Sequence, residues 1–371
     1  MSVPRLIAVC VLIGAANFST STSAQKPTNR DLDVASRFAP IFYQALGDKP
    51  RSDYITNFDF DGDWRGDNNW NNAANKDLPL KAYIYFSVSE TTTHFFIHYA
   101  VYHPRDYKGG RQGTLLSELI QEGAKRGGKY DPTGLADEAA LAHENDMEGA
   151  LVVVEKDGTE LTDAHVVFVE TLHHNNFSHY RPGDPQEGAS IVKLEGQRPL
   201  LYVEPKGHGI ESFDGEQKQT SRKDFLRYVY AGRADDPSKG DFVCRDLETT
   251  PCSKSVGYQL VSLSTLWSKA KGTNETYGVT FDYGEIKLMT SLTAGEPKEQ
   301  TFKLGTVGCA FLGKVGGVNM ARPPWGWFDR DERDQKLGLW FFDPATVIKK
   351  DFKLDEKFST AYVRLPFWAK N

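Results

Sequence analysis

The stretch His143-Glu144-Asn145-Asp146-Met147-Glu148-Gly149 runs straight into Ala150-Leu151-Val152-Val153-Val154. The apolar run reads as a buried strand, and an imidazole and two carboxylates, His143, Asp146 and Glu148, stand at its mouth. In extended backbone, residues two apart point to the same face, so Asp146 and Glu148 project together, with His143 close by in the preceding loop. Like charges held that close are costly unless a cation lies between them. A divalent metal meets that need. Upstream, Tyr99-Ala100-Val101-Tyr102-His103-Pro104-Arg105-Asp106 ends another strand in a third carboxylate. Residue chemistry alone leaves one alternative open, an acidic surface with a strand-capping His.

Strands dominate the pattern on either side. Residues 81–88 and 94–102 are rich in aromatic and β-branched types, with Ser89 to Thr93 as a hairpin loop. Residues 149–155 and 164–172 form another expected pair around Lys156-Asp157-Gly158. Residues 200–204, 278–282 and 338–342 read as further strands, and 34–46 as a helix or a strand. Helical spacing appears at Leu115, Leu116, Leu119 and Ile120, then from Asp137 to His143; 225–230 and 263–269 read as short helices. The expectation is a mainly β fold, with a β-sandwich core, helical insertions and a C-terminal extension.

The same residues carry a resemblance to the necrosis-inducing proteins, secreted cytolysins with a β-sandwich core. There, a strand ending Tyr-x-x-Tyr-x-Pro-Lys-Asp precedes a Gly-His-Arg-His-Asp-Trp-Glu heptapeptide, and four of those side chains surround a divalent cation. Asp106, His143, Asp146 and Glu148 fall on the four positions. The chain also resembles the vacuolar protein sorting 62-like family, whose His-Glu-Gly-Asp-Trp-Glu is followed by a distal strand ending in Gly-Ser-His. Pro199-Leu200-Leu201-Tyr202-Val203-Glu204-Pro205-Lys206-Gly207-His208-Gly209 is similar to that strand. The likeness spans roughly 38–213, with a further patch at 323–344. It departs at Asn145, in place of the second His, at Met147, in place of the Trp, and at 107–142, an insertion of 36 residues.

The N-terminus reads as a secretory signal over 1–24: Arg5, an apolar core from Leu6 to Phe18, then Thr22-Ser23-Ala24 as a cleavage site. Residues 25–371 read as one β-rich domain, with a core of about 38–213, the insertion 107–142 and an extension 214–371. The expected location is secreted, extracellular or periplasmic. The formal net charge of −6 becomes −7 without Arg5, which argues against a nucleic-acid partner, since that needs a basic face. Cys244 and Cys252 flank a turn-like segment and suit a small disulfide, whereas Cys309 reads as a buried free thiol.

Three carboxylates and an imidazole, without thiolate, suit Mg²⁺, Ca²⁺ or Mn²⁺ better than Zn²⁺. No Cys-x-x-Cys or His-Glu-x-x-His is present. A second group is Leu172-His173-His174-Asn175-Asn176-Phe177-Ser178-His179, with His208 and Glu211 further on. Neutral histidines there can bind a ligand, support a metal ligand or carry protons, or form a solvated loop. His208 is preferred as a residue facing the cleft. A third group, Ala321 to Asp329 with Trp325 and Trp327, suits headgroup or carbohydrate stacking, and equally suits core packing. Asp59 to Trp70 reads as an Asx-rich loop, with a second cation site or a wall of the cleft as the alternatives. Gly308 to Lys314 resembles a phosphate loop, but Val315 stands where Ser or Thr is required, so no nucleotide is expected.

Three functions fit. One is a metal-dependent binding or cytolytic protein, recognising a glycan or glycolipid headgroup on a target membrane surface, with His173, Glu211, Trp325 and Trp327 contacting the ligand. The second is an exported metal-dependent hydrolase of an ester, phosphodiester or glycoside, with His208 or His174 as general acid or base. The third is a structural β-domain whose ion only stabilises a loop.

Overall fold

A computed structural model describes residues 28–47, 49–107, 142–158, 160–183, 189–214, 224–245, 252–291, 296–314, 321–330 and 336–367. The signal segment, the helices expected at 115–120 and nearly all of the one expected at 137–143 lie outside these residues.

The first thirteen strands are β1 Ile41–Ala45, β2 Tyr83–Thr91, β3 His94–Asp106, β4 His143–Glu155, β5 His165–His173, β6 Asn176–Pro182, β7 Ser190–Val192, β8 Leu194–Glu195, β9 Arg198–Val203, β10 Ile210–Ser212, β11 Asp224–Tyr230, β12 Val243–Arg245 and β13 Val256–Ser262. Among the described residues they belong to a sixteen-stranded mixed sheet, ordered β10-β9-β1-β11-β13-β2-β3-β4-β5-β6-β7 along its main path. A separate pair joins Tyr277–Asp282 to Thr306–Phe311. The two layers expected of a sandwich are halves of one sheet that curls back on itself, because β10 packs on β4 and β5 while β9 meets β7. Such curling follows from the right-handed twist of strands accumulated over many neighbours.

The central ladder is β3 against β4, antiparallel, with His94 opposite Glu155 at one end and Asp106 opposite His143 at the other. Leu151 to Val154 are all fully buried, and such continuous apolar runs arise where both faces of a sheet are covered. One face carries the N-terminal helix Asn29–Arg37, whose Ala35 carbonyl accepts from the Tyr99 hydroxyl at 2.6 Å. That helix opens on a capping box between Thr28 and Asp31. The opposite face carries the C-terminal segment: His98 Nε2 donates to the Trp340 carbonyl at 2.9 Å, and Phe96 packs against Phe358 and Tyr362. Alternation along β3 therefore sorts the N-terminal helix and the segment from Trp340 to Phe358 onto opposite faces.

Several expectations are corrected. β4 starts at His143, so that imidazole stands within the ladder and not in a loop before it. Residues 225–230 are strand β11, because Phe225, Leu226 and Tyr228 are buried in a ladder between β1 and β13. Residues 339–342 form a helical turn, not a strand. Gly338, at φ 74, begins it, and a Cβ there would lie 2.2 Å from the Trp325 carbonyl oxygen. The segment 34–46 contains both a helix end and β1. The Cys244–Cys252 disulfide and the buried free Cys309 are as expected.

Candidate functional site

Asn145 organises the mouth of β4. It adopts φ 57, a left-handed conformation that Asn tolerates better than most residues. Its buried side chain accepts from the Tyr102 hydroxyl at 2.5 Å and from Asn69 Nδ2 at 2.8 Å, and donates to the carbonyls of Gly66 and Leu312 at 2.8 and 2.9 Å. The kink breaks strict alternation, and the Asp146 charge acts on His143 although the two are three residues apart. Met147 is 2 % exposed and its carbonyl accepts from the Trp327 indole, so it is a core residue. The two departures from the resembled heptapeptide are thus a loop anchor and a packing side chain.

Asp106, His143, Asp146 and Glu148 are all buried, and each carboxylate turns to an imidazole. His143 Nε2 lies 3.4 Å from Asp106 Oδ2, while its Nδ1 donates to the Asn145 carbonyl at 2.7 Å. Burial alone would lower the His143 pKa, but the Asp106 bond and the Asp106 and Asp146 charges outweigh it and raise it to about 9. Asp146 Oδ2 accepts from His208 Nδ1 at 2.8 Å. Glu148 Oε1 lies 4.0 Å from His174 Nδ1.

His208 comes from the turn between β9 and β10 at φ 57, and is 0 % exposed. Its Nε2 lies 3.3 Å from Asp53 Oδ1, whose carboxylate also accepts from the backbone N–H of Gly47 and Lys206, each at 2.7 Å. Burial opposes its protonation; bonds to Asp146 and Asp53 overcome this and raise it to about 9. Enclosed by two carboxylates, His208 holds Asp146 in place and has no face open to a substrate. His103 stacks on it and is driven well below the ordinary imidazole range by burial and then by the His208 charge. Neutral His103 donates to Gln44 Oε1 at 2.9 Å, and Gln44 Nε2 donates onward to the Glu204 carbonyl at 3.2 Å.

The His173–Glu211 group also converges here. β5 and β6 are joined by a two-residue turn in which His174 and Asn175 have φ 50 and 65; two positive φ values match the twist of a tight hairpin. His173 Nε2 lies 3.3 Å from Glu204 Oε1 and its Nδ1 lies 2.9 Å from Glu211 Oε1. His174 Nε2 lies 3.0 Å from Glu204 Oε2. Burial opposes protonation of His173, but the two glutamates raise it to about 9; Glu204 is desolvated, yet its imidazole partners hold it well below the usual carboxylate range.

Trp325 and Trp327 do not line this site. They are 0 % and 2 % exposed, and their indole N–H groups donate to the carbonyls of Gly308 and Met147. Of the two readings, core packing holds, and ligand stacking on these rings is excluded by their burial. His179 pairs with Glu170 on the outer hairpin. The loop 59–70 bonds its own backbone, with Asp63 N donating to Asp61 Oδ1 and Arg65 N to Asp63 Oδ1. Its last residue, Trp70, stacks on Tyr107 with centroids 5.6 Å apart and carries the Arg105 guanidinium 4.7 Å from its own ring centroid. Tyr107 directly follows Asp106 at the end of β3, and Trp70 N donates to Glu144 Oε1 at 2.6 Å, so this half-exposed ring pair sits at the same end of the ladder beside Arg105 and Glu144.

Among the described residues, three sets have donor atoms all within 4.8 Å of one another: His173–His174–Glu204, Glu155–Asp157–His165 and Glu170–His179–Asp351. The quartet on β3 and β4 is split between separate imidazole partners and is not one of these sets. Its oxygen-rich chemistry still fits a hard divalent ion, and the ladder sets Asp106 directly opposite His143. Sequence reading passed over Asp53, His103, Gln44 and Glu204. Only Glu204 carried a signal, as the one acid within the similar distal strand.

No protein-family model matches the chain, and no curated protein matches it. Among solved structures it is similar to Necrosis and Ethylene inducing Protein 2 from the causal agent of cocoa's Witches Broom disease, at 16% identity and a TM-score of 0.22, over 36% of this chain and 46% of that one. It is also similar to NLPPya in complex with mannosamine, at 16% identity and a TM-score of 0.28, over 52% and 70%. The non-toxic HaNLP3 protein is similar at 14% identity and a TM-score of 0.30, over 69% and 87%. The chain therefore spans less than half the length of the first of these. Its structural neighbours are toxin-fold proteins of the necrosis- and ethylene-inducing kind, and at these scores the likeness assigns no activity to this chain.

Proposed function

We propose that this is an exported, divalent-cation-dependent binding protein that takes a glycan or glycolipid headgroup at the carboxylate end of the β3–β4 ladder. The observation that supports it is the gathering of four buried carboxylates, Asp53, Asp106, Asp146 and Glu148, faced by the imidazoles of His143, His208 and His174. Carboxylates are removed from water at high cost unless opposite charge accompanies them. Asp106, His143, Asp146 and Glu148 would hold a hard cation, with Asp53 acting through His208 to fix Asp146. Such an ion supplies coordination positions for hydroxyl or phosphate oxygens. Trp70 and Tyr107, stacked at the same end of the ladder, offer flat faces that suit the apolar face of a sugar ring. The resemblance at the same four positions points the same way.

The test is binding of the full chain to vesicles of phosphatidylcholine with and without a glycosylated sphingolipid, in Ca²⁺, Mg²⁺ or Mn²⁺ and then in chelator. Saturable binding that needs both glycolipid and cation is expected, weakened by Trp70→Ala. Binding that persists in chelator would count against the cation, and equal binding to both vesicles against the glycan.

A further inference from the structure

We infer that His173, His174 and Glu204 form a second cation site, suited to a first-row transition ion such as Zn²⁺, with its own three ligands and adjoining the carboxylate set on β3 and β4 at Glu148. Two imidazole nitrogens and a carboxylate are the donors of a three-ligand zinc site that keeps a position open for water or substrate. Both imidazoles present the same atom, Nε2, to the two oxygens of Glu204, at 3.3 and 3.0 Å. Adjacent residues in a strand ordinarily point to opposite faces. Here the left-handed turn at His174 brings both rings to one side, with centroids 4.6 Å apart.

An independent observation concerns the other ring nitrogens. Metal-bound imidazoles usually present their second N–H to a carboxylate or carbonyl, which fixes the tautomer and the ring plane. His173 Nδ1 lies 2.9 Å from Glu211 Oε1, and His174 Nδ1 lies 4.0 Å from Glu148 Oε1. Both rings thus turn Nε2 toward Glu204; His173 has a carboxylate within hydrogen-bond distance behind it, and His174 has one at ion-pair distance. The pocket is also shaped for His173: a Cβ on Gly209 would lie 2.4 Å from His173 Cδ2 and 2.9 Å from Nε2. The side chains of His173, His174 and Glu204 are 22%, 24% and 28% exposed, so an ion and a water molecule can reach them. Nitrogen-rich donors of this kind favour Zn²⁺ or Co²⁺ over Mg²⁺ and Ca²⁺.

The experiment is titration of the chelator-treated full chain with Co²⁺, followed by its visible absorption, and then displacement by Zn²⁺. Wild type is expected to bind one Co²⁺ with a low-symmetry spectrum that Zn²⁺ abolishes. His174→Asn keeps a residue that tolerates the left-handed turn and removes the ligand; it should weaken binding by more than roughly 100-fold, beyond the usual effect of removing an orienting partner. Glu211→Gln should weaken it by roughly 10-fold to 100-fold, the usual effect of removing an orienting carboxylate. Asp146→Asn should leave it unchanged. Unaltered circular dichroism marks each variant as folded. Absence of binding by wild type, equal binding by His174→Asn and wild type, or loss of binding in Asp146→Asn would each overturn the assignment. Because Asp146→Asn targets only the hard-cation set, failure here is distinct from failure of the proposed function.

Discussion

His208 lies face to face on His103, with ring centroids 3.7 Å apart and planes inclined by 6°, and neither ring is exposed. The pair is tolerable because only one ring carries charge: Asp146 and Asp53 hold the proton on His208, and burial keeps His103 neutral. Removing His208 strands two buried carboxylates. His208→Ala should therefore destabilise the chain by about 3–5 kcal/mol, the usual result of breaking a buried pair from one side. His208→Asn, which accepts the left-handed backbone and still donates, should cost less. Urea unfolding at neutral pH measures both; a loss below about 1 kcal/mol for Ala, within the range of exposed pairs, would show that the network is not structural.

His98 gives the clearest pH dependence away from the carboxylates. Burial against Trp340 and Phe341 lowers its pKa to about 4, against which its bond to the Trp340 carbonyl works only in part. Between pH 6.5 and 4 the unfolded chain takes up a proton that the folded chain refuses. Stability from this group is complete above 6.5 and falls as pH drops toward 4, by up to about 3 kcal/mol. His98→Gln, which can still donate to that carbonyl, should flatten the fall. His94, also lowered to about 4 by burial, leaves a residual slope. Urea midpoints at pH 7 and pH 4.5 for both proteins decide it; parallel losses would remove His98 as the cause.

Gly149 marks where the C-terminal segment seats on the sheet. A Cβ there would lie 2.3 Å from Trp327 Cη2 and 2.6 Å from the Tyr99 carbonyl oxygen. Gly149→Ala must push the indole off β4, and the expected cost is about 1–3 kcal/mol, typical of overpacking. Trp327 fluorescence should change with it. An Ala variant as stable as wild type would mean that this contact is loose.

Much of the centre of the fold is legible because it is local. β3 and β4 announce themselves by β-branched and aromatic content, and Asp106, His143, Asp146 and Glu148 stand close together at their ends. Phe225 to Tyr230 misleads because a short apolar segment has no decisive period, and its neighbours β1 and β13 settle it as a strand. Glu204 lies thirty residues beyond His174. Nothing local links them; the hairpin turn at 174–175 and the packing of β10 on β5, which brings the β9–β10 turn to it, do. Asp53 carries no pattern at all, and its role arises from capture of the β9–β10 turn through the Lys206 N–H. Trp325 and Trp327 read as a surface platform as readily as a core, since composition does not report which side of a sheet a loop covers.

The most direct test of the carboxylate set is thermal unfolding of the full chain in chelator and after addition of Mg²⁺, Ca²⁺ or Mn²⁺, beside Asp146→Asn. An ion at one hundred times its dissociation constant stabilises the native state by about 2.7 kcal/mol. For a chain of this size that is a rise in Tm of roughly 2 to 5 °C. The account predicts that rise in wild type and its loss in Asp146→Asn. An equal rise in both proteins, or none in either, would contradict a cation held by Asp106, His143, Asp146 and Glu148.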